Sequence, residues 1–425
     1  MLDVIEYFPI MNFSPDLRSS PIRSTLRSAR GGRPALLLLT LLAWLTVAAG
    51  PPVWRSNHVK PISLTPGQIR EMAAIAQGPT THSRAGIMQD RESGAVLWQW
   101  NAQQSLPMAS VTKLMTVLVA LETLSPDDVI NIPAAALDIP AGYVRMGLQA
   151  GQQVQVRTLL YGALLPSGND AALALAIAAA GDEHTFVARM NARAEEWGMG
   201  HTHFANPHGI DAPDHYASAR DLAQLAIRAL QNPLIAEIVA APVADVGGFH
   251  LVNTNQLLTS YPGAYGVKTG TTDQAGQVLI GAARRSRQGD VLTVVMNSSD
   301  RYAETMGLMD FYFAHWIWVD VGLNRNALNR VISPDGASYL LDTPSAPLFL
   351  QRWQVAELRP LRAVSFDAAG QPSGVYQVWY GQEKLVELPI EFEKQSTINS
   401  QQSTINGQQS TINGQQVTSN VSASQ

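Results

Sequence analysis

The sequence predicts an α+β fold on three observations. Strand-like stretches lie towards both ends of a central region, at residues 94–100 and at 279–283 with 291–296. Between them run stretches whose apolar residues recur at helical spacing, namely 110–124, 170–180 and 219–230. Strands grouped at the ends with helices grouped between them point to α+β architecture rather than a regular α/β alternation. Composition permits such a core, because 46% of the 425 residues are hydrophobic and only 15% are charged. The length allows two or three domains, or one large enzyme domain with appendages.

The ends come first. Residues 35–49 form an uninterrupted apolar run preceded by Arg18, Arg23, Arg27, Arg30 and Arg33 and followed by Gly50, Pro51 and Pro52. A basic flank, a short apolar stretch and the ending Val47-Ala48-Ala49 predict a secretory signal within a leader spanning 1–61. A signal anchor extending through Trp54, which would attach the chain to a membrane through residues 35–54, is the alternative to cleavage. Either places the bulk of the chain outside the cytoplasm, in the cell envelope. At the other end, 394–425 is dominated by seven-residue Gln-Ser-Thr-Ile-Asn repeats that carry one isoleucine each. So little apolar surface cannot offset the ordering entropy, so the reading is a disordered polar tail, with a short stacked β-arcade as the alternative.

Between them we expect a main domain at 62–325 and a small β domain at 326–393. In the main domain, residues 94–100 read as a strand after the turn Asp90-Arg91-Glu92-Ser93. The stretches 279–283 and 291–296 read as a hairpin through Arg287-Gln288-Gly289-Asp290. In the small domain, alternation at 375–380 is bounded by turn signals at 369–372 and 380–382. The other reading is that these strands extend the main sheet. Trp316, Trp318 and Phe311-Tyr312-Phe313 read as core packing, with a membrane-facing patch as the alternative.

Charge and cysteine content exclude whole classes. With 29 Lys and Arg against 34 Asp and Glu the net charge is −5, which argues against nucleic-acid binding by phosphate neutralisation. The absence of cysteine excludes disulfides, thiolate metal sites, iron–sulfur clusters and a cysteine nucleophile. His201, His203 and His208 lie close in sequence, yet no H-E-x-x-H motif accompanies them, so neither a metal nor a cofactor is expected, and His208 reads as structural support.

Three short motifs carry chemistry. Ser110-Val111-Thr112-Lys113 opens an apolar helix. Residues i and i+3 share a helix face, so the Lys113 amine can reach the Ser110 hydroxyl, and burial or a nearby cation would keep that amine neutral and basic. An ordinary N-cap serine is the alternative. Ser167-Gly168-Asn169 follows an apolar run and opens another helix, where Ser167 could relay a proton and Asn169 could bind an amide. Lys268-Thr269-Gly270 offers an ammonium and a hydroxyl for a carboxylate, and a glycine against which a substrate backbone could lie.

In that order the motifs resemble the S-x-x-K, S-D-N and K-T-G signature of penicillin-binding proteins and class A β-lactamases. Together with residues 109–116, 167–172, 206–211 and 261–276, they make the chain similar to the D-alanyl-D-alanine carboxypeptidases, the low-molecular-mass penicillin-binding proteins, over about residues 83–313. The resemblance implies a β-lactamase/transpeptidase-like domain, an antiparallel sheet flanked by helices, followed by the small all-β domain. It implies that Ser110 attacks the penultimate D-alanine carbonyl of a peptidoglycan stem pentapeptide and that Lys113 takes its proton. D-alanine leaves, and water hydrolyses the acyl-enzyme. By the same resemblance Ser167 and Asn169 assist proton traffic and substrate orientation, Lys268 and Thr269 bind the terminal carboxylate, and Gly270 and Thr271 line the substrate strand. The backbone N–H groups of Ser110 and Thr271 form the oxyanion hole. A charged Lys268 would help keep Lys113 neutral, and β-lactams would be covalent inhibitors.

Two departures from related patterns stand out. The chain ends in a polar tail where membrane-bound carboxypeptidases often carry an amphipathic helix, and Ser-Gly-Asn replaces the Ser-Asp-Asn of class A β-lactamases. The remaining readings are a DD-endopeptidase, a β-lactamase-like hydrolase and a non-catalytic module that senses peptidoglycan or β-lactams.

Overall fold

The computed structural model describes residues 64–395. The leader with its apolar run, and the tail from residue 396, lie outside the described residues. A five-stranded antiparallel sheet forms the centre, built from β1 (Ala85–Asp90), β2 (Val96–Trp100), β3 (Ala264–Thr272), β4 (Gly276–Arg285) and β5 (Gly289–Ser298), in the order β2-β1-β5-β4-β3. The expected hairpin is β4–β5, with Ala283 opposite Val291 and Arg285 opposite Gly289. Strand β3 pairs with β4 alone and so forms an edge.

Alternation along the strands divides the core in two. Val278, Ile280 and Ala282 of β4, with Leu292, Val294 and Met296 of β5, join the larger cluster, while Leu279, Ala283, Val291 and Val295 join the second. The larger cluster is completed by the helices α2 (Lys113–Ala120), α3 (Val156–Leu164), α4 (Asn169–Ala180), α5 (Glu183–Glu196), α6 (Ala219–Gln231) and α7 (Pro233–Ala240). The second is closed by α8 (Arg301–His315), through Leu308, Met309, Tyr312 and Phe313, and by Ile75 of α1 (Pro66–Gln77).

The first two turns of the site's central helix are set by burial. In α2 every residue except Leu118 is buried, so Leu114, Met115 and Val117 each contribute about 1.5–3 kcal/mol of apolar burial. Residues 110–124 were expected as one helix. Instead a 3-10 turn spans Ala109–Thr112, the α-helix runs only from Lys113 to Ala120, and turns follow. The tight entry follows from Ala109, which stands at φ 51°, in the left-handed region.

After α8 the strands form their own small sheets rather than extending the central one. Trp316–Asp320 pairs with Pro347–Gln351, and Leu358–Phe366, Pro372–Tyr380 and Glu383–Pro389 form a meander around Tyr376 and Val378. Trp316 is buried beside Tyr312, and the Trp318 indole N–H donates to Asp90, so both belong to packing. Among the described residues no single helix is long and apolar enough to cross a membrane.

Candidate active site

The turn that carries Ser110 lies between the central sheet and the helical layer. Ser110 caps no helix, because the cap position before the 3-10 turn is Met108 and makes no side-chain bond. Its hydroxyl instead lies 2.9 Å from Lys113 Nζ. That amine is fully buried and also lies 2.8 Å from Asn169 Oδ1 and 2.5 Å from the His208 carbonyl. Burial, and next the charge of Lys268, push the Lys113 pKa well below its ordinary value, while Asp170 acts in the opposite direction. A neutral amine donates two protons, which match Asn169 Oδ1 and the His208 carbonyl. Its lone pair then faces Ser110 Oγ–H, the arrangement of a general base.

The second motif closes one side of Lys113. Ser167 stands at φ 69°, and its buried hydroxyl has no partner among the described residues. It therefore keeps a free donor and acceptor. Both ends of the Asn169 amide are engaged, Oδ1 by Lys113 and Nδ2 by the Val144 carbonyl at 2.9 Å. Asn169 thus orients Lys113 in this structure. Asp170, also buried, accepts from the backbone N–H groups of Met146, Gly147 and Leu148 and fastens the 144–148 loop to α4.

The third motif lies on β3. Lys268 Nζ is buried and donates to the Thr269 carbonyl at 3.1 Å. Burial, then the charge of Arg301, push its pKa down to about 7. Thr269 Oγ1 pairs with Thr254 Oγ1 at 2.6 Å, and Arg301 Nη1 donates to Thr271 Oγ1 at 2.8 Å and to the Gly270 carbonyl at 3.0 Å. A Cβ on Gly270 would stand 3.0 Å from both Ala109 Cβ and the Ser110 nitrogen, so glycine lets the edge strand approach the Ser110 turn this closely without crowding it.

The structure therefore brings Ser110, Lys113 and Asn169 into one hydrogen-bonded cluster, with Gly270 against it and Lys268 close enough to depress the Lys113 amine. Sequence reasoning missed Asp170, which directly follows Asn169, and Arg301, Thr254 and His215, which distant segments contribute. Asp170 had a signal in its place beside Asn169, whereas nothing local marked the other three. His208 supports the site through its carbonyl, held by a loop in which Asn206 Oδ1 accepts from Gly209 N at 2.7 Å. Its imidazole, pushed to about 3 by burial and then by Lys113 and His215, is neutral, so its 3.9 Å approach to Glu183 is no ion pair. His203 Nδ1 bonds the Asp214 carbonyl.

Fold and site together point to a serine-type hydrolase in which a buried lysine amine lies beside the serine hydroxyl. A family model described as D-alanyl-D-alanine carboxypeptidase matches residues 72–300. The chain is 32% identical over 246 residues to the D-alanyl-D-alanine carboxypeptidase DacF of Bacillus subtilis, a match covering 55% of this chain and 63% of the relative. It is also 32% identical over 323 residues to DacC of Escherichia coli, covering 66% of this chain and 80% of the relative. Among solved structures, penicillin-binding protein 6B of Escherichia coli superposes with a TM-score of 0.59 at 28% identity, over 74% of this chain and 96% of that one. The chain belongs to the D-alanyl-D-alanine carboxypeptidase family, serine-type hydrolases that act on peptidoglycan peptides in the cell envelope and bind β-lactams.

Proposed function

We propose that this chain removes the terminal D-alanine from peptidoglycan stem pentapeptides through an acyl-enzyme on Ser110. The observation that carries the reading is the buried Lys113 amine, 2.9 Å from Ser110 Oγ with a strongly depressed pKa. Lys113 takes the Ser110 proton as Oγ attacks the penultimate D-alanine carbonyl. The tetrahedral oxyanion lies between the backbone N–H groups of Ser110 and Thr271, a placement supported by the close approach of Gly270. Collapse breaks the peptide bond and passes the proton to the departing amine, and the unpartnered Ser167 hydroxyl is suited to relay it. Water, deprotonated by the same amine, then releases the shortened peptide.

Lys268, Thr269 and Arg301 hold the substrate carboxylate. A Lys268 ammonium poised near pH 7 regains its charge when an anion arrives, so binding energy accumulates where the terminal carboxylate must sit. β-Lactams acylate Ser110 by the same route. Residues 62–325 form the catalytic domain and 326–393 an accessory β domain, and export depends on residues 35–54.

The test is incubation of the full chain with uncross-linked pentapeptide and with cross-linked muropeptides, products being read by mass. Loss of a single D-alanine from the pentapeptide supports the reading. Cleavage of cross-links alone would make the chain an endopeptidase, and turnover of neither would leave a β-lactamase or a sensor.

A further inference from the structure

The strained turn that presents Ser110 is pinned by a side chain from a remote loop. Ala109, immediately before the nucleophile, stands at φ 51°, where a residue with a Cβ is disfavoured by about 1–2 kcal/mol. Its carbonyl accepts from Thr112 Oγ1 at 2.8 Å, and Thr112 Oγ1 in turn lies 2.8 Å from Nε2 of His215. The other imidazole nitrogen, Nδ1, faces the Ala205 backbone N–H at 3.0 Å. An N–H can only donate, so Nδ1 carries the lone pair and Nε2 carries the proton. The chain then runs in one direction: Ala205 N–H to Nδ1, Nε2–H to Thr112 Oγ1, Oγ1–H to the Ala109 carbonyl. Thr112 has one proton, and His215 leaves it one use for it. All three groups are buried, and the imidazole is further held edge-on by Phe204.

Elsewhere the loop meets the Ser110 segment with its own backbone: the His208 and Pro207 carbonyls accept from Lys113 Nζ and Thr116 Oγ1. Leu106 and Ala217 exchange both hydrogen bonds, and the α-carbon of Gly209 abuts the Ala109 carbonyl so closely that a Cβ there would fall 2.1 Å from it. His215 supplies the side-chain link from this loop to the Ser-Val-Thr-Lys turn, acting on the residue between the nucleophile and its base.

We propose that His215, as the neutral Nε2–H tautomer, is a positioning residue for acylation: by committing the Thr112 hydroxyl to the Ala109 carbonyl, it holds the left-handed turn that aims Ser110 Oγ. The inference rests on Ser110 being the acylated serine. His215 touches neither substrate nor the reacting atoms.

The two nitrogens can be separated by substitution in the full chain. His215→Gln keeps an amide donor near the Nε2 position and loses the acceptor for Ala205, whereas His215→Asn keeps an acceptor near Nδ1 and loses the donor to Thr112. Acylation by a fluorescent penicillin, followed by stopped flow, gives the bond-forming rate separately from the initial affinity. His215→Asn and Thr112→Val should each slow the bond-forming rate by roughly tenfold or more with affinity retained, since small misplacements of a nucleophile are costly. His215→Gln should stay within about threefold of the native rate. Adding His215→Asn to Thr112→Val should cost little more, because both remove one link.

A native rate in His215→Asn, equal slowing in Gln and Asn, or a full additional loss in the double variant would each overturn the proposal. Should His215→Asn fail to fold, Thr112→Val and His215→Gln still decide it, through slowing in the first and retention in the second. Absence of label on the native chain would sink the Ser110 reading and this inference with it, whereas label on the native chain matched by the Asn variant would sink this inference alone.

Discussion

Lys268 is held in the fold at a cost to stability, and Lys268→Met should reveal it. A fall from the ordinary 10.5 to about 7 corresponds to about 5 kcal/mol against the charged form in the native site. Methionine removes that cost but also the hydrogen bond to the Thr269 carbonyl, worth about 1 kcal/mol, and leaves that acceptor poorer. The net expectation is that the ligand-free variant is more stable by about 3 kcal/mol at pH 6. The pH dependence has a definite sign. Between pH 7 and 10.5 the unfolded lysine holds its proton while the native one has released it, so native-chain stability rises with pH through that window, and the methionine advantage vanishes near about pH 9 and reverses above it, where only the lost hydrogen bond remains. Denaturant unfolding of both proteins at pH 6, 8 and 10 measures this. The same substitution should lower penicillin acylation roughly hundredfold, because the carboxylate loses its counter-charge. It should also move the acid limb of acylation upward, since Lys113 no longer faces a second cation. A variant less stable at pH 6, or a difference that does not change with pH, would refute the argument.

Lys113→Ala should nearly abolish acylation at every accessible pH, measured with the fluorescent penicillin, because Ser110 loses its amine partner and Asn169 Oδ1 and the His208 carbonyl lose their donor. Gly209→Ala should destabilise the fold by about 3 kcal/mol or more in denaturant unfolding and slow acylation with it, since φ is +90° and the new Cβ would meet the Ala109 carbonyl. In the native chain KM for the peptide should rise above about pH 7, as Lys268 loses its proton and with it the carboxylate. Arg301→Gln removes the neighbouring like charge and should shift that rise to higher pH while raising KM throughout, which a KM profile from pH 6 to 10 would show.

What the sequence revealed was whatever is encoded locally. Ser110 and Lys113 meet because three residues span one helical turn, and the β4–β5 hairpin follows from alternation around a turn at 287–290. The 3-10 entry at Ala109 was not legible, because alanine carries no signal for a left-handed backbone; loop packing from residues 205–217 imposes it. Helix α8 was hidden for another reason. Its aromatic end, Phe311–Phe313, runs directly into the strand at Trp316, and the shared apolar composition masks the boundary that the pairing of Trp316 with Gln351 reveals. Arg301, Thr254 and His215 reach the site from separate loops and helix ends, so only the closed fold brings them to β3 and to the nucleophile turn. The shift of Lys268 likewise needs three-dimensional burial, which a Lys-Thr-Gly tripeptide does not announce.

The most direct test of the central claim is to map the covalent adduct. The full chain is mixed with benzylpenicillin, quenched in acid, digested and read by mass spectrometry, beside Ser110→Ala and Lys113→Ala. One adduct on the peptide containing Ser110 in the native chain, with none in either variant, is the predicted result. An adduct on any other residue, or undiminished labelling in Lys113→Ala, would contradict a Ser110 nucleophile activated by the Lys113 amine.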